Sequence, residues 1–287
     1  LLYLIIRFME KRIIKLSDRS ILSIGGKDSK SFLQAIITCD VEKISSDPVY
    51  GAILTPQGKL LYDFIIFKKN NEFLLDISKL NIKDFKKLLT IYKLRSDISI
   101  EERLDLSVFV DIENKTEDIK FLDPRLVEMG SRDILESESL DYGADLILYK
   151  NQKIKLGVAE TGDDLVVGEI FPMEANLDYL KGIDFQKGCF IGQEVSSRMF
   201  RKGTAKKRIV NFTSNDHFTN KEEIVYNGTR IGTVIKKIGA NGIALIKVDK
   251  ISNPDRETTT ITTENNQKTM VINLPSFFPK QTGTTQK

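Results

Sequence analysis

The stretch Tyr50–Ile77, YGAILTPQGKLLYDFIIFKKNNEFLLDI, decides the fold class. Tyr50–Leu54, Leu60–Phe67 and Phe73–Ile77 read as three strands, because β-branched and aromatic residues crowd them and turn residues bound them. Pro56-Gln57-Gly58 marks the first turn. Asn70-Asn71, a pair that tolerates the positive φ of a tight hairpin, marks the second. Upstream, Ile21–Ile24 reads as a strand, Gly25-Gly26 as a break, and Asp28 as a helix N-cap. The helix that follows, SKSFLQAII, places Phe32, Leu33, Ile36 and Ile37 on one face. Downstream, Ile82, Phe85, Leu88, Leu89 and Tyr92 recur at helical spacing. Strands and helices packed as two layers predict an α+β domain over residues 10–105.

A second α/β subdomain is expected over residues 106–201, with a strand in LSVFVDI, a short helix near 141–150 and a motif-rich stretch at 171–199. Beyond Arg208 the pattern turns to strands. Asn227-Gly228 lies between two strand-like runs of EEIVYNGTRIGTV, a strong two-residue hairpin signal, and Gly239–Gly242 turns into IALIKV. Residues 205–280 therefore read as a small β barrel or sandwich. The stretch 252–268 is polar and Thr-rich, and 281–287 is expected to be a mobile tail. The first eight residues, LLYLIIRF, read either as a short extra strand or as sequence ahead of a true start at Met9. They are far shorter than the ~20 apolar residues of a membrane span.

Composition removes several kinds of chemistry. The 287 residues include 41% hydrophobic and 29% charged side chains, an ordinary globular balance. A net charge of +3 is compatible with an anionic ligand and too small to argue for nucleic acid alone. One histidine, His217, excludes a multi-histidine metal site. Two cysteines, Cys39 and Cys189, build no disulfide framework and suit a reducing compartment.

Three features have chemical potential. Asp63 alternates with Leu61, Ile65 and Phe67 in a strand apolar on both faces, so it is expected to be at least partly buried. A buried carboxylate is costly unless paired, so it serves either a ligand or nearby backbone and cationic partners. Cys189 lies in a glycine-bounded turn near Lys187, Arg198, Arg201 and Lys202, where positive neighbours favour a reactive thiolate. The alternative is a small buried side chain. Finally, RMFRKGTAKKR at 198–208 has six cations and no acid. It reads as an anion- or RNA-receiving surface or as a solvated linker, and Phe200 is its only aromatic. Gly25-Gly26-Lys27-Asp28-Ser29 lacks the glycine spacing of a P-loop, and Glu174 with Asp178 reads as a helix start bearing early acids.

The octapeptide Lys187–Glu194, KGCFIGQE, resembles the signature of the YgfZ-type folate-binding proteins that serve iron–sulfur protein maintenance, relatives of the glycine-cleavage aminomethyltransferase T-protein. FPMEANLDYLKGIDF, VSSRMFRKGTAKKRI, FLQAIITCDV and DPRLVEMGSR are similar to that family as well, so the resemblance runs from about Ile21 to Ile246. It implies two α/β subdomains around a central folate channel and a C-terminal β-barrel-like domain. It also implies tetrahydrofolate or a one-carbon derivative as cofactor, with Asp63 near the pterin and Lys187, Phe190, Gly192, Gln193 and Glu194 as folate contacts. Cys189 would be the functional thiol beside that cavity, and Arg198, Arg201 and Lys202 would attract the glutamate tail. The implied partners are iron–sulfur assembly proteins or iron–sulfur client enzymes, including tRNA-thiolating ones. Membrane association and direct nucleic-acid binding are not expected. The location would be the bacterial cytoplasm, or the mitochondrial matrix if the chain is eukaryotic. An assembly or repair role is favoured over a folate-dependent aminomethyltransferase or demethylase, and an RNA-binding module is the third reading. Two departures stand out: Tyr62 precedes Asp63 where aminomethyltransferases carry a second acid, and Cys39 replaces a usual Asn.

Overall fold

The computed structural model describes residues 13–44, 47–140, 142–203, 205–251, 258–265 and 267–279. The expectations for Leu1–Phe8, for a start at Met9, for the tail 281–287 and for residues 252–257 and 266 of the Thr-rich stretch lie outside these residues.

The described residues form three antiparallel sheets. The first has the order β3-β4-β5-β2-β6, from Val49–Leu54 (β3), Leu60–Lys69 (β4), Glu72–Ser78 (β5), Arg19–Gly25 (β2) and Ser99–Glu102 (β6). Its helices, α1 (Ser29–Ile36) and α2 (Ile82–Lys93), cover one face. Strand alternation sends Tyr62, Phe64 and Ile66 into a core under them with Phe32, Leu33, Phe85 and Leu89. The opposite face sends Ile65, Phe67 and Leu74 into a larger core shared with the rest of the chain. Asp63 lies on that second face.

The second sheet has the order β1-β7-β9-β8, from Ile13–Lys15 (β1), Leu106–Asp111 (β7), Ser131–Glu136 (β9) and Phe121–Leu122 (β8). Although β1 precedes the first sheet in the chain, it pairs with β7 of the second. Helix α3 spans Leu146–Lys155, about five residues later than its sequence pattern suggested. Asp145 sets that start, its carboxylate accepting from the Ile147 amide at 2.9 Å. The segment 171–181 forms successive turns, not the expected helix. Asn176 and Lys181 take φ of +63° and +60°, which interrupt helical geometry. Its acids have other work: Glu174 accepts from the Phe171 amide, and Asp178 pairs with Arg208.

After helix α4 (Gln193–Lys202) comes the third sheet, β11-β12-β13-β10-β15-β14. It comprises Glu223–Tyr226 (β11), Thr229–Ile238 (β12), Asn241–Lys247 (β13), Lys207–Thr213 (β10), Thr269–Asn273 (β15) and Thr258–Thr262 (β14). Asn227 and Gly228 both have positive φ, +50° and +66°, as a two-residue turn with the twist of its strands requires. The amide of Glu264, just past β14, donates to the carbonyl of Val225 in β11, so the sheet curls toward closure around Phe212, Ile231 and Ile272.

Candidate functional site

The loop ahead of α4 presents Cys189 at the surface. Three neighbours fix its path. Lys187 turns its ammonium inward and donates to the carbonyls of Gln34, Ile37 and Cys39 at 2.8, 2.7 and 2.9 Å. These lie at and just beyond the C-terminal end of α1, where carbonyls lack helical partners and a cation is favoured. Burial lowers the Lys187 pKa, and Cys39, Asp40 and Asp184 partly offset it. Phe190 is buried in the shared core with that ammonium 5.4 Å from its ring centroid. Gly192 caps α4 with φ +79°, and a Cβ there would lie 2.5 Å from the carbonyl oxygen of Thr55. The motif loop thus leans on the β3–β4 turn. At Gly188 a Cβ would meet nothing within 4 Å. Gly192→Ala is therefore expected to cost about 1–3 kcal/mol in urea denaturation, and Gly188→Ala about 0.5 kcal/mol or less. Equal costs would show that close approach to Thr55 does not set the loop.

Cys189 borders a concavity of about 480 Å³ whose other wall is the outward side of α1 (Lys30, Ser31, Gln34, Ala35) with Lys27 and Glu42. Lys30 pairs with Glu42 and Lys27 with Asp97, both in solvent-exposed bridges that contribute little stability. Sequence reasoning noted Lys27 only in rejecting a P-loop. The helical period that buried Phe32, Leu33 and Ile36 already placed Lys30 and Gln34 on the opposite side. Asp28 occupies the N-cap position of α1, but its carboxylate accepts from the Asp97 amide at 2.7 Å and ties down the loop after α2.

Asp63 lies in a different environment. It is 2% exposed, and Oδ1 accepts from both the amide and the hydroxyl of Thr161 at 2.6 Å, while Oδ2 accepts from the Tyr50 hydroxyl at 3.2 Å. Burial and the neighbouring Glu160 carboxylate raise its pKa, and Arg19 and Thr161 oppose the rise. Glu160 is the hub of a buried ionic network that sequence reasoning missed. It accepts from Arg125 at 2.5 Å, from Lys153 at 3.1 Å and from the Tyr149 hydroxyl at 3.1 Å. Arg125 also pairs with Asp123, while Arg19 and Arg132 both grip Asp76. Burial alone would raise the Glu160 pKa, but Lys153, Arg19, Arg125 and Arg132 hold it well below the usual carboxylate range.

The two principal predicted residues do not come together. Asp63 faces the shared core, whereas Cys189 opens beside the outer side of α1, which covers the opposite face of the first sheet. Asp63 is not among the residues that line the concavity beside Cys189. As packed, the Asp63 carboxylate is closed off from solvent, and both of its oxygens have protein partners in Tyr50 and Thr161. Lys187 is occupied by backbone carbonyls. Gln193 sends its amide toward the Gly188 carbonyl at 3.5 Å, and Glu194 is exposed in the first turn of α4. Arg198, Arg201 and Lys202 are exposed along the same helix, the last two in its final turn, where cations complement the dipole. Arg208 is buried, bridging Asp178 and the Met173 carbonyl, so the basic run is a helix end, a short link and an internal clamp.

Known proteins share this architecture. The solved aminomethyltransferase T of the Bartonella henselae glycine cleavage system superposes with a TM-score of 0.71 over 93% of this chain and 86% of that one, at 14% identity. The chain has the aminomethyltransferase T fold. Its curled third sheet agrees with the family described as the CAF17 C-terminal beta-barrel domain, which matches residues 206–280. Among curated proteins, the human mitochondrial iron–sulfur cluster assembly factor IBA57 is 26% identical over 92% of this chain and 85% of its own length. Mitochondrial IBA57 homologues of Mycosarcoma maydis and Coccidioides immitis are 29% and 30% identical, each over 69% of this chain. The chain spans only 56% and 55% of those two fungal proteins. These relatives carry the IBA57 name and not the YgfZ name.

Proposed function

We propose that the chain is an iron–sulfur cluster assembly factor of the IBA57 kind, with Cys189 as its working thiol. The observation that carries this reading is the exposed Cys189 on a loop anchored at Lys187, Phe190 and Gly192, beside a concavity bordered by Lys27 and Lys30. An iron–sulfur unit held by thiolates is anionic, and those ammonium groups lie where they would favour it. Cys39 is buried, with burial pushing its thiol up to about 12, so it offers no second thiolate beside Cys189. One thiol cannot hold a cluster, so a partner protein supplies the remaining ligands. The names of the curated relatives support this reading and favour the mitochondrial matrix if the chain is eukaryotic.

The proposed role is support of iron–sulfur client enzymes, tRNA-thiolating ones included. Tetrahydrofolate binding has the fold in its favour and the closed packing around Asp63 against it, so no chemical step is routed through folate. The test is to remove the gene from its host and assay several [4Fe–4S] enzymes during oxidative growth. The expected result is a shared fall in their activities, restored by the wild-type gene. Unchanged activities would remove the proposal.

A further inference from the structure

A second charged feature lies on the third sheet, in a different part of the chain from Cys189. Strands β10, β12 and β13 frame a concavity of about 230 Å³ lined by Lys207, Arg230, Thr233 and Lys247, with Gly232 and Leu245 among its remaining wall. Lys207 and Lys247 are directly paired across the antiparallel β10–β13 ladder. Directly opposed residues of such a pair project on the same side, so two cationic side chains leave one face at a position where like charges are destabilising. Among the described residues, no carboxylate lies within ion-pair distance of Lys207. The Lys247 ammonium donates to the Arg230 carbonyl at 3.1 Å. Arg230 has one acidic partner, Glu223, at 2.8 Å in a bridge 58% and 51% exposed. Asp249 is the other acid close by in sequence.

We propose that this concavity is a binding site for a phosphate-bearing small molecule. An anion placed among Lys207, Lys247 and Arg230 relieves the cross-strand repulsion and receives charge-assisted hydrogen bonds from all three, with the Thr233 hydroxyl as a neutral donor. Gly232 lets β12 lie close to β13 at this wall, since a Cβ there would fall 2.3 Å from the Leu245 carbonyl oxygen. No aromatic side chain lines the site, so bases have nothing to stack upon, which favours a compact phosphate over a nucleic-acid strand.

The probe is inorganic tripolyphosphate, titrated calorimetrically into the full chain at low ionic strength. Saturable binding is expected, weakened roughly tenfold in Lys247→Gln and lost in Lys207→Gln/Lys247→Gln, as removal of charge-assisted contacts implies. Tripolyphosphate should raise the Tm of the wild type and leave that of the double variant unchanged. Without probe, the double variant should melt no lower than wild type, which also establishes that it folds. Cys189→Ser should bind the probe as wild type does. Absence of saturable binding, or equal affinity in the double variant, would overturn the proposal. So would a twelve-nucleotide RNA that binds through the same lysines far more tightly than tripolyphosphate, since the surface would then serve a polynucleotide.

Discussion

Glu160→Gln is expected to lower the stability of the protein by about 3–5 kcal/mol, a large part of what holds a typical chain folded. Glutamine keeps the shape of the side chain and removes the charge around which Lys153, Arg125 and Arg19 are arranged. Lys153 retains Asp164 and Arg125 retains Asp123, but the network then holds the same buried cations against one acid fewer. The penalty comes from stranding those cations; the intact network need not be a net source of stability. The pH dependence has a definite sign. Glu160 is held below its ordinary value of 4.5, so its contribution is present above that value and is lost as pH falls through the folded-state pKa. Asp63 behaves oppositely. Its pKa is raised from 3.8, so the folded state binds the extra proton, and its contribution declines as pH rises through that window. At neutral pH, Glu160→Gln should therefore lower the urea midpoint, while Asp63→Asn should hold or raise it. An Glu160→Gln variant within about 1 kcal/mol of wild type would show that the cations reach solvent or other acids instead.

The network explains why the fold was more legible than the site. Strand period, the Asn227-Gly228 turn and the apolar faces of α1 and α2 are local signals, and each neighbourhood contains all that its element needs. Arg19, Asp76, Arg125, Arg132 and Glu160 are dispersed along the chain and meet only once the first two sheets and the segment after α3 have assembled. No sequence window contains that meeting. Lys187 is instructive in another way. Its place two residues before Cys189 suggested a charge for the thiol, yet backbone carbonyls around the end of α1, some 150 positions earlier, captured it. Asp63 was readable as buried because both sides of its strand are greasy, but its partner Thr161 lies 98 positions away. Burial followed from pattern, and satisfaction of the buried group depended on tertiary contact.

Cys189→Ser is expected to leave the thermal midpoint within about 2 °C of wild type while cluster delivery to an acceptor enzyme falls on the order of 100-fold. The first part follows from position. Cys189 is exposed, and its loop is held by Lys187, Phe190 and Gly192, so a hydroxyl in place of the thiol disturbs no packing. The second follows from chemistry, because the soft thiolate that binds iron in sulfide clusters has no equivalent in a serine hydroxyl at neutral pH. Asp63→Asn separates this mechanism from one-carbon transfer. The asparagine can accept both Thr161 hydrogen bonds and donate to Tyr50, so the fold is kept while the carboxylate is removed. Delivery measured anaerobically with purified variants should persist in Asp63→Asn and collapse in Cys189→Ser. If delivery survives loss of the thiol but not loss of the carboxylate, the working group is the buried acid. The closed packing around Asp63 must then open during the reaction, and the exposed sulfur is incidental.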